Sequence, residues 1–294
     1  MQFLGTEIPS ISIKEAQAVI LPVPFDASVC YKPGARFAPQ RILSASSALE
    51  LYDEELDIEP FRCGIFTLEP IDVPIDPYIL SARVKEIVQN IVKSKKLPVL
   101  IGGDHSISIG AIKAILEIQK DKGESLTVLQ FDAHTDLRDE YQGSKYSHAC
   151  VMRRAVEDGA CVIQVGIRSL SKEEKQFLDK HGFKPLWAKD IYNNYHSVKS
   201  KILSMITDPL YITIDLDCLD PSIMPDVGTP EPGGLNWYQL IGILKDICLN
   251  TKVLGFDIVE LCPHSIASPS EYLAARLLYK ILGYIFYSSI NKSK

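Results

Sequence analysis

The chain has no Cys-x-x-Cys pair, no apolar run long enough to cross a bilayer, no Ser/Gly linker, no internal repeat and no excess of basic charge. Each absence removes a class of protein. The seven cysteines (Cys30, Cys63, Cys150, Cys161, Cys218, Cys248 and Cys262) are odd in number and scattered, so neither a disulfide framework nor a zinc knuckle is encoded. The C-terminal run ILGYIFYSSI falls well short of the roughly 20 residues of a spanning helix, and no basic segment leading into an apolar one opens the chain. A soluble, cytoplasmic protein without a membrane partner is expected. With 31 basic against 37 acidic residues, the net charge of -6 offers no global attraction to nucleic acid, and cationic or neutral partners fit better. With no linker to divide them, 294 residues of which 46% are hydrophobic and 23% charged predict one domain, 1–294, around a large core.

What is present is a regular alternation. The apolar runs AVILPVP, LPVLIGG, LTVLQFD, CVIQVGI, LYITIDLD and KVLGFDIVEL are continuous, as strands buried on both faces of a parallel sheet are. Between them, segments with an apolar three-to-four-residue period predict helices over Ser81 to Lys95, Ser106 to Lys120, Ala149 to Glu157, Trp237 to Leu249 and Ser270 to Tyr287. This βα order predicts an α/β fold, a three-layer αβα sandwich with a mostly parallel central sheet. Such sheets bind ligands beyond the carboxyl ends of their strands.

Three of those ends are acidic: Asp104 and His105 in IGGDHS; Asp132, His134 and Asp136 in FDAHTD; and Asp215 and Asp217 in ITIDLD. In an extended chain, residues i, i+2 and i+4 share a face, so DAHTD aims two carboxylates and an imidazole at one point, and DLD repeats the device. The simpler reading, that each Asp caps the following helix, fits Asp104 or Ser106 but does not explain DxHxD and DxD together. Four carboxylates gathered without counter-charge repel one another, and two divalent ions resolve the repulsion. A donor set of carboxylate and imidazole without thiolate suits hard to intermediate ions, with Mn²⁺ the first choice. Two such ions lower the pKa of a shared water and hold a hydroxide nucleophile, so hydrolysis is expected, and a centre left slightly negative would tolerate a cationic substrate. Alternation turns Cys218 away from the face the aspartates share.

The motifs GGDHS, DAHTD, SHA, DLDCLDP and GTPEPGGL, in that order between Gly102 and Leu235, resemble the ureohydrolases, the family of arginase and agmatinase. The resemblance extends through YKPGARFAPQRIL and GFDIVELCP and so covers most of the chain, with agmatinase the nearest pattern. It implies an arginase-like fold and two Mn²⁺ per subunit. One ion would be held by His105, Asp132, Asp136 and Asp215, the other by Asp132, His134, Asp215 and Asp217. It further implies attack of a metal-bridging hydroxide on the guanidino carbon of agmatine, giving putrescine and urea, hence a role in polyamine biosynthesis. In that scheme Asp136 relays a proton to the leaving amine, His148 shuttles protons to and from solvent, and Glu260 holds the guanidinium by paired hydrogen bonds. A homo-oligomer, trimer or hexamer, is implied as well.

The substrate tail is read less directly. Arginases carry a small polar residue two places beyond the last Asp of DAHTD, where this chain has Arg138. Asp139 and Glu140 would attract the ammonium of agmatine or aminopropylagmatine, whereas Arg138 would equally attract a carboxylate, as in guanidinobutyrate. The alternatives kept open are the same chemistry on aminopropylagmatine, guanidinobutyrate or arginine, and a non-catalytic polyamine-binding relative. A binuclear metallophosphatase would show GDxxD and GNH[DE] segments, which the chain lacks, and a histone deacetylase site has fewer ligands. Asp257 reads as a buried structural carboxylate, His181 as a helix C-terminal surface residue, and His196 as part of a polar turn. Arg168 reads as orienting loops, meeting another subunit or forming a surface ion pair, and His264 as a residue of the pocket mouth.

Overall fold

A computed structural model describes residues 1–207, 209–264 and 267–292. In chain order its main elements are β1 (Ala18–Val23), α1 (Ala38–Ser46), β2 (Ile65–Thr67), α2 (Pro77–Lys93), β3 (Leu97–Gly102), α3 (Ile107–Asp121), β4 (Thr127–Phe131), α4 (Val151–Glu157), β5 (Cys161–Ile167), α5 (Lys172–His181), β6 (Leu186–Trp187), α6 (Ala188–Met205), β7 (Leu210–Asp215), α7 (Trp237–Asn250), β8 (Val253–Val259) and α8 (Pro269–Asn291). All eight strands are parallel, in the order β2-β1-β3-β8-β7-β4-β5-β6.

Side chains alternate across the sheet into two cores. Ile20, Leu129, Phe131, Ile212, Ile214, Phe256 and Ile258 pack with α1, α6, α7 and α8, while Leu21, Leu100, Val128, Tyr211 and Val259 pack with α2, α3, α4 and α5. Both faces are buried, which is why these strands read as unbroken apolar runs. The three-layer αβα prediction holds. The two outermost strands, of three and two residues, give no run or period to read, and the apolar period predicts no helix over α1 or α6. His196 lies inside α6 and not in a turn: the polar YNNYHS segment is helical apart from a kink at Asn194 (φ -143°, ψ 52°). His181 is the last residue of α5, ahead of Gly182 with φ 72°. Among the described residues no helix is long and apolar enough to cross a membrane.

Order in the sheet matters for the site. The four central neighbours, β3, β8, β7 and β4, are separated in sequence by long crossovers, yet their carboxyl ends stand side by side. The chain beyond β1 also presses against the end of β3. The Gly103 N–H donates to the Val23 carbonyl at 3.0 Å and the Asp104 N–H to the Phe25 carbonyl at 2.7 Å. A Cβ at Gly103 would lie 1.6 Å from the Phe25 carbonyl oxygen, so only glycine admits this crossing.

Candidate metal centre and cleft

Beyond the four strand ends the chain leaves the sheet at once. β4 stops at Phe131, so DAHTD is not a continued strand: His134 makes a single bridge to Ser169, and Asp136 takes a left-handed φ of 51°. DLD departs from extension too, because Asp217 and Cys218 sit in a 3₁₀ turn, Leu216–Cys218, begun by the Asp217 N–H donating to Asp215 Oδ1 at 2.8 Å. Cys218 is nevertheless fully buried, and burial first, then the Asp217 charge, pushes its thiol well up. Glu260 follows β8 with φ 66°. Left-handed backbone at a non-glycine residue costs about 1–3 kcal/mol. Here it falls on two carboxylates that the chain must turn toward the cleft.

Among the described residues two donor groups form, and they share Asp132: His105, Asp132 and Asp136 in one, Asp132, His134 and Asp217 in the other. In the second, His134 Nδ1 is 2.9 Å from Asp217 Oδ2 and 3.5 Å from Asp132 Oδ1. Gln130 Nε2 donates to Asp132 Oδ2 at 2.8 Å, and the Ala133 N–H to Asp217 Oδ1 at 2.9 Å. In the first group, His105 Nε2 is 2.8 Å from Thr213 Oγ1, whose own proton goes to Asp257 Oδ1 at 2.6 Å. Thr213 therefore accepts from His105, so Nε2 carries the proton and Nδ1 presents a lone pair. That lone pair is buried and has no hydrogen-bond partner, although Asp136, Asp132 and Asp215 place oxygens 2.9, 3.1 and 3.6 Å away.

A lone pair facing three carboxylates asks for a cation. Without one, the site draws in protons. Burial lowers the affinity of His105 for a proton, but the carboxylates of Asp132 and Asp136 outweigh it and raise the imidazole well above its ordinary value. Burial opposes protonation of His134 too, yet the charges of Asp217 and Asp132 carry it to about 12. Burial and then the Asp132 charge raise Asp136 to about 7, and burial with Asp217 and Asp132 raises Asp215 well above the carboxylate range. Divalent ions replace such protons and suit oxygen and imidazole donors, so the residues fit a metal.

The cage opens into a cleft of about 290 Å³ lined by His105, His134, Asp136, Asp215, His148 and Glu260, with Tyr31, Arg138, Tyr141 and Glu174 further out. Glu260 is 8% exposed, and its Oε1 accepts the His105 N–H at 2.7 Å. Burial, then the Asp104 charge, pushes its carboxyl well above the usual range, where a bound cation would restore its ionisation. A Cβ on Gly228 would come within 3.2 Å of Glu260 Oε2, so a glycine there leaves that oxygen room. His148 is half-buried, edge-on to Tyr141 with ring centroids 5.4 Å apart, and burial lowers its pKa.

The other predicted residues divide. Neither Asp139 nor Glu140 lines the cleft: Asp139 is held by Arg154 of α4, from which it accepts at 2.9 Å, and by Lys145 at 3.6 Å, and Glu140 is exposed. Arg138 does line it, with its guanidinium 5.1 Å over the Tyr141 ring. His264 is exposed and outside the lining. Asp104 accepts the Ser106 N–H at 3.1 Å, as a cap does, and also two bonds from Ser28. Asp257 is buried as expected, but through Thr213 it also fixes His105. Among the described residues Arg168 makes no ion pair: its guanidinium donates to the carbonyls of Gly166, Asp217, Leu219, Glu231 and Pro232 at 2.6–3.3 Å, tying β5 to the Asp217 turn and to the loop of GTPEPGGL. Thr213 was readable in the sequence. It is the one aliphatic hydroxyl in LYITID, two places before Asp215 and so on its face.

A parallel α/β sheet whose central strand ends gather carboxylates and imidazoles, without thiolate, beside an open cleft defines a metal-dependent hydrolase. Residues 16–283 match the model of the Arginase family, and the chain belongs to that family. It is 38% identical to the N(1)-aminopropylagmatine ureohydrolase of Synechocystis sp., over 96% of this chain and 93% of that protein. It is 36% identical to the agmatinase of Pyrococcus horikoshii, over 94% and 95%. The crystal structure of the agmatine ureohydrolase of Thermoplasma volcanium superposes with a TM-score of 0.88 at 30% identity, over 98% of this chain and 96% of that one.

Proposed function

We propose that the protein hydrolyses the guanidino group of agmatine to putrescine and urea, using two Mn²⁺ per subunit. The observation that carries the reading is the placement of Glu260. A buried carboxylate faces the same cleft as the metal-binding cage, with one oxygen tied to the His105 N–H and the other given room by Gly228. A planar cation is its natural partner, and a guanidinium pairs with a carboxylate through two parallel N–H···O bonds.

His105, Asp132, Asp136 and Asp215 would hold one ion and Asp132, His134, Asp215 and Asp217 the other. Bound there, the ions supply Lewis acidity and ionise water near neutral pH. Glu260 fixes the guanidinium so that its carbon presents a face to the cage. As a C–O bond forms at that carbon and a C–N bond breaks, Asp136 takes one proton of the attacking water and passes it to the departing amine nitrogen, and the second water proton, lost as the oxygen becomes the urea carbonyl, goes to the same amine through the cleft's proton exchange. His148 exchanges protons between the cleft and solvent. Urea leaves neutral and the diamine leaves protonated.

A second substrate, N(1)-aminopropylagmatine, is favoured by the 38% identity to the Synechocystis enzyme of that name. Both have the same reacting group and differ in the tail. Urea release from agmatine, aminopropylagmatine, arginine and guanidinobutyrate in the presence of Mn²⁺ tests the reading, with formiminoglutamate followed by formamide release. Binding of agmatine without turnover of any of these would sink it and favour a polyamine-binding relative.

A further inference from the structure

His148 Nδ1 is turned away from the cleft that its ring lines, toward two hydroxyls: Ser28 Oγ at 3.1 Å and Ser147 Oγ at 3.3 Å. Ser28 is 7% exposed and sits in the segment that the Gly103 crossing brings onto the end of β3. Its Oγ has three polar neighbours: Asp104 Oδ2 at 2.9 Å, the His148 N–H at 3.0 Å and His148 Nδ1. A hydroxyl has one proton to give and two lone pairs to receive. The His148 N–H can only donate, and so occupies one lone pair.

The direction of the remaining two bonds follows from Asp104. That carboxylate is fully buried and surrounded by donors, the N–H and hydroxyl of Ser28 at one oxygen and those of Ser106 at the other. If Ser28 gave its proton to His148 instead, its oxygen would face Asp104 Oδ2 lone pair to lone pair at 2.9 Å, leaving a buried carboxylate oxygen repelled. The Ser28 proton therefore belongs to Asp104, and Ser28 must accept from Nδ1. Ser147 is compatible, since its Oγ already accepts the Ala149 N–H at 3.4 Å and can accept a second.

We infer that Ser28 and Asp104 are positioning residues that lock His148 in the Nδ1–H tautomer, leaving the Nε2 lone pair as the proton acceptor presented to the cleft. The inference rests on the proton role proposed for His148 and adds what makes the imidazole competent for it. When Nε2 takes a proton, the Nδ1–H···Ser28···Asp104 chain lies behind the new positive charge with its dipoles already aligned, and no group has to turn. Returning the proton from Nε2 to solvent or to the amine restores the starting tautomer, so each turnover balances. Neither Ser28 nor Asp104 lines the cleft.

The test is ¹⁵N NMR of the [¹⁵N]histidine-labelled protein loaded with a diamagnetic divalent ion, using the loss of one signal set in His148→Gln for assignment. Wild type is expected to show a protonated Nδ1 and an unprotonated Nε2 at His148. Ser28→Ala should lose that preference and, with Mn²⁺, drop kcat by on the order of 10²-fold while metal content and KM hold. Ser28→Thr, which keeps the hydroxyl, should restore both. A wild-type His148 protonated at Nε2 overturns the inference, as does Ser28→Ala with the shifted tautomer and wild-type kcat. The wild-type NMR result needs no variant to fold. If no guanidino substrate is turned over by wild type, the functional reading fails, while the tautomer measurement still decides the hydrogen-bond assignment.

Discussion

Replacing Thr213 by valine is expected to weaken metal binding at the centre by about 10- to 100-fold, the usual cost of removing a partner that orients a metal-binding histidine. The two side chains have nearly the same volume, so the substitution removes one hydroxyl and little else. That hydroxyl receives His105 Nε2 at 2.8 Å and gives its proton to Asp257 at 2.6 Å. In the variant the buried Nε2–H has no acceptor, which costs about 1–3 kcal/mol, and the tautomer that points the Nδ1 lone pair at the carboxylates loses its support. Asp257 keeps the Tyr211 hydroxyl at 2.6 Å, so it is not orphaned. A 10- to 100-fold loss corresponds to about 1.4–2.7 kcal/mol. The same amount should vanish from the stabilisation that saturating Mn²⁺ confers against heat. Chelator competition followed by Mn²⁺ EPR reads the affinity, with Thr213→Ser as the control that keeps the hydroxyl. Wild-type affinity in Thr213→Val would refute the tautomer argument for His105.

Glu260→Gln should keep the hydrogen bond from the His105 N–H and lose the charge paired with the substrate, lowering kcat/KM by about 10- to 100-fold with unchanged metal content; an unchanged kcat/KM would remove Glu260 from guanidinium binding. Stripping the metal should reverse the pH trend of stability around the site. Asp136 is raised from 3.8 to about 7 in the folded chain, so between those values the folded state holds a proton that the unfolded state has released, and metal-free protein loses stability as pH rises from about 4 to 7. Metal-loaded protein should gain stability over that range as ions replace protons, and urea unfolding at several pH values separates the two. Glu55 behaves oppositely: burial raises it, but Lys245, Tyr284 and Lys280 outweigh burial and hold it near 2, so its contribution is present above about 4.5 and fades as pH falls toward 2. Glu55→Gln should flatten the acid limb of the stability curve. Gly103→Ala, whose Cβ would sit 1.6 Å from the Phe25 carbonyl oxygen, should destabilise by at least about 1–3 kcal/mol, seen as a lowered Tm.

The strands were legible where burial on both faces wrote a continuous apolar run, and that covers six of the eight in the sheet. β2 and β6 were not, since two or three residues at a sheet edge carry no pattern. The ligands were legible because their chemistry is unusual inside apolar sequence. Their geometry was not: alternation predicts an extended DAHTD and DLD, whereas the chain leaves the sheet at Phe131 and coils after Asp215. What supports the ligands was harder still. Ser28 meets Asp104 and His148 across 76 and 120 residues, and no local period encodes such a meeting. His196 misled for the opposite reason, as a polar composition typical of a turn was overridden by the packing of α6.

Arg168 holds the far wall of the site by backbone alone. Its guanidinium reads the carbonyls of Asp217, Leu219, Glu231 and Pro232 and ignores what their side chains are. The glycines of the GTPEPGGL loop are fixed by close approach, as at Gly228 and Gly234, but at Glu231 this hold on the loop does not depend on the side chain. The Glu231 side chain, whose carboxylate stands 3.9 Å from His134 Nε2, can therefore be exchanged while Arg168 keeps its hold on the loop and on the Asp217 turn. Selection for a different guanidino tail, or a library built at this position, can explore new specificities on a scaffold whose reacting centre stays still.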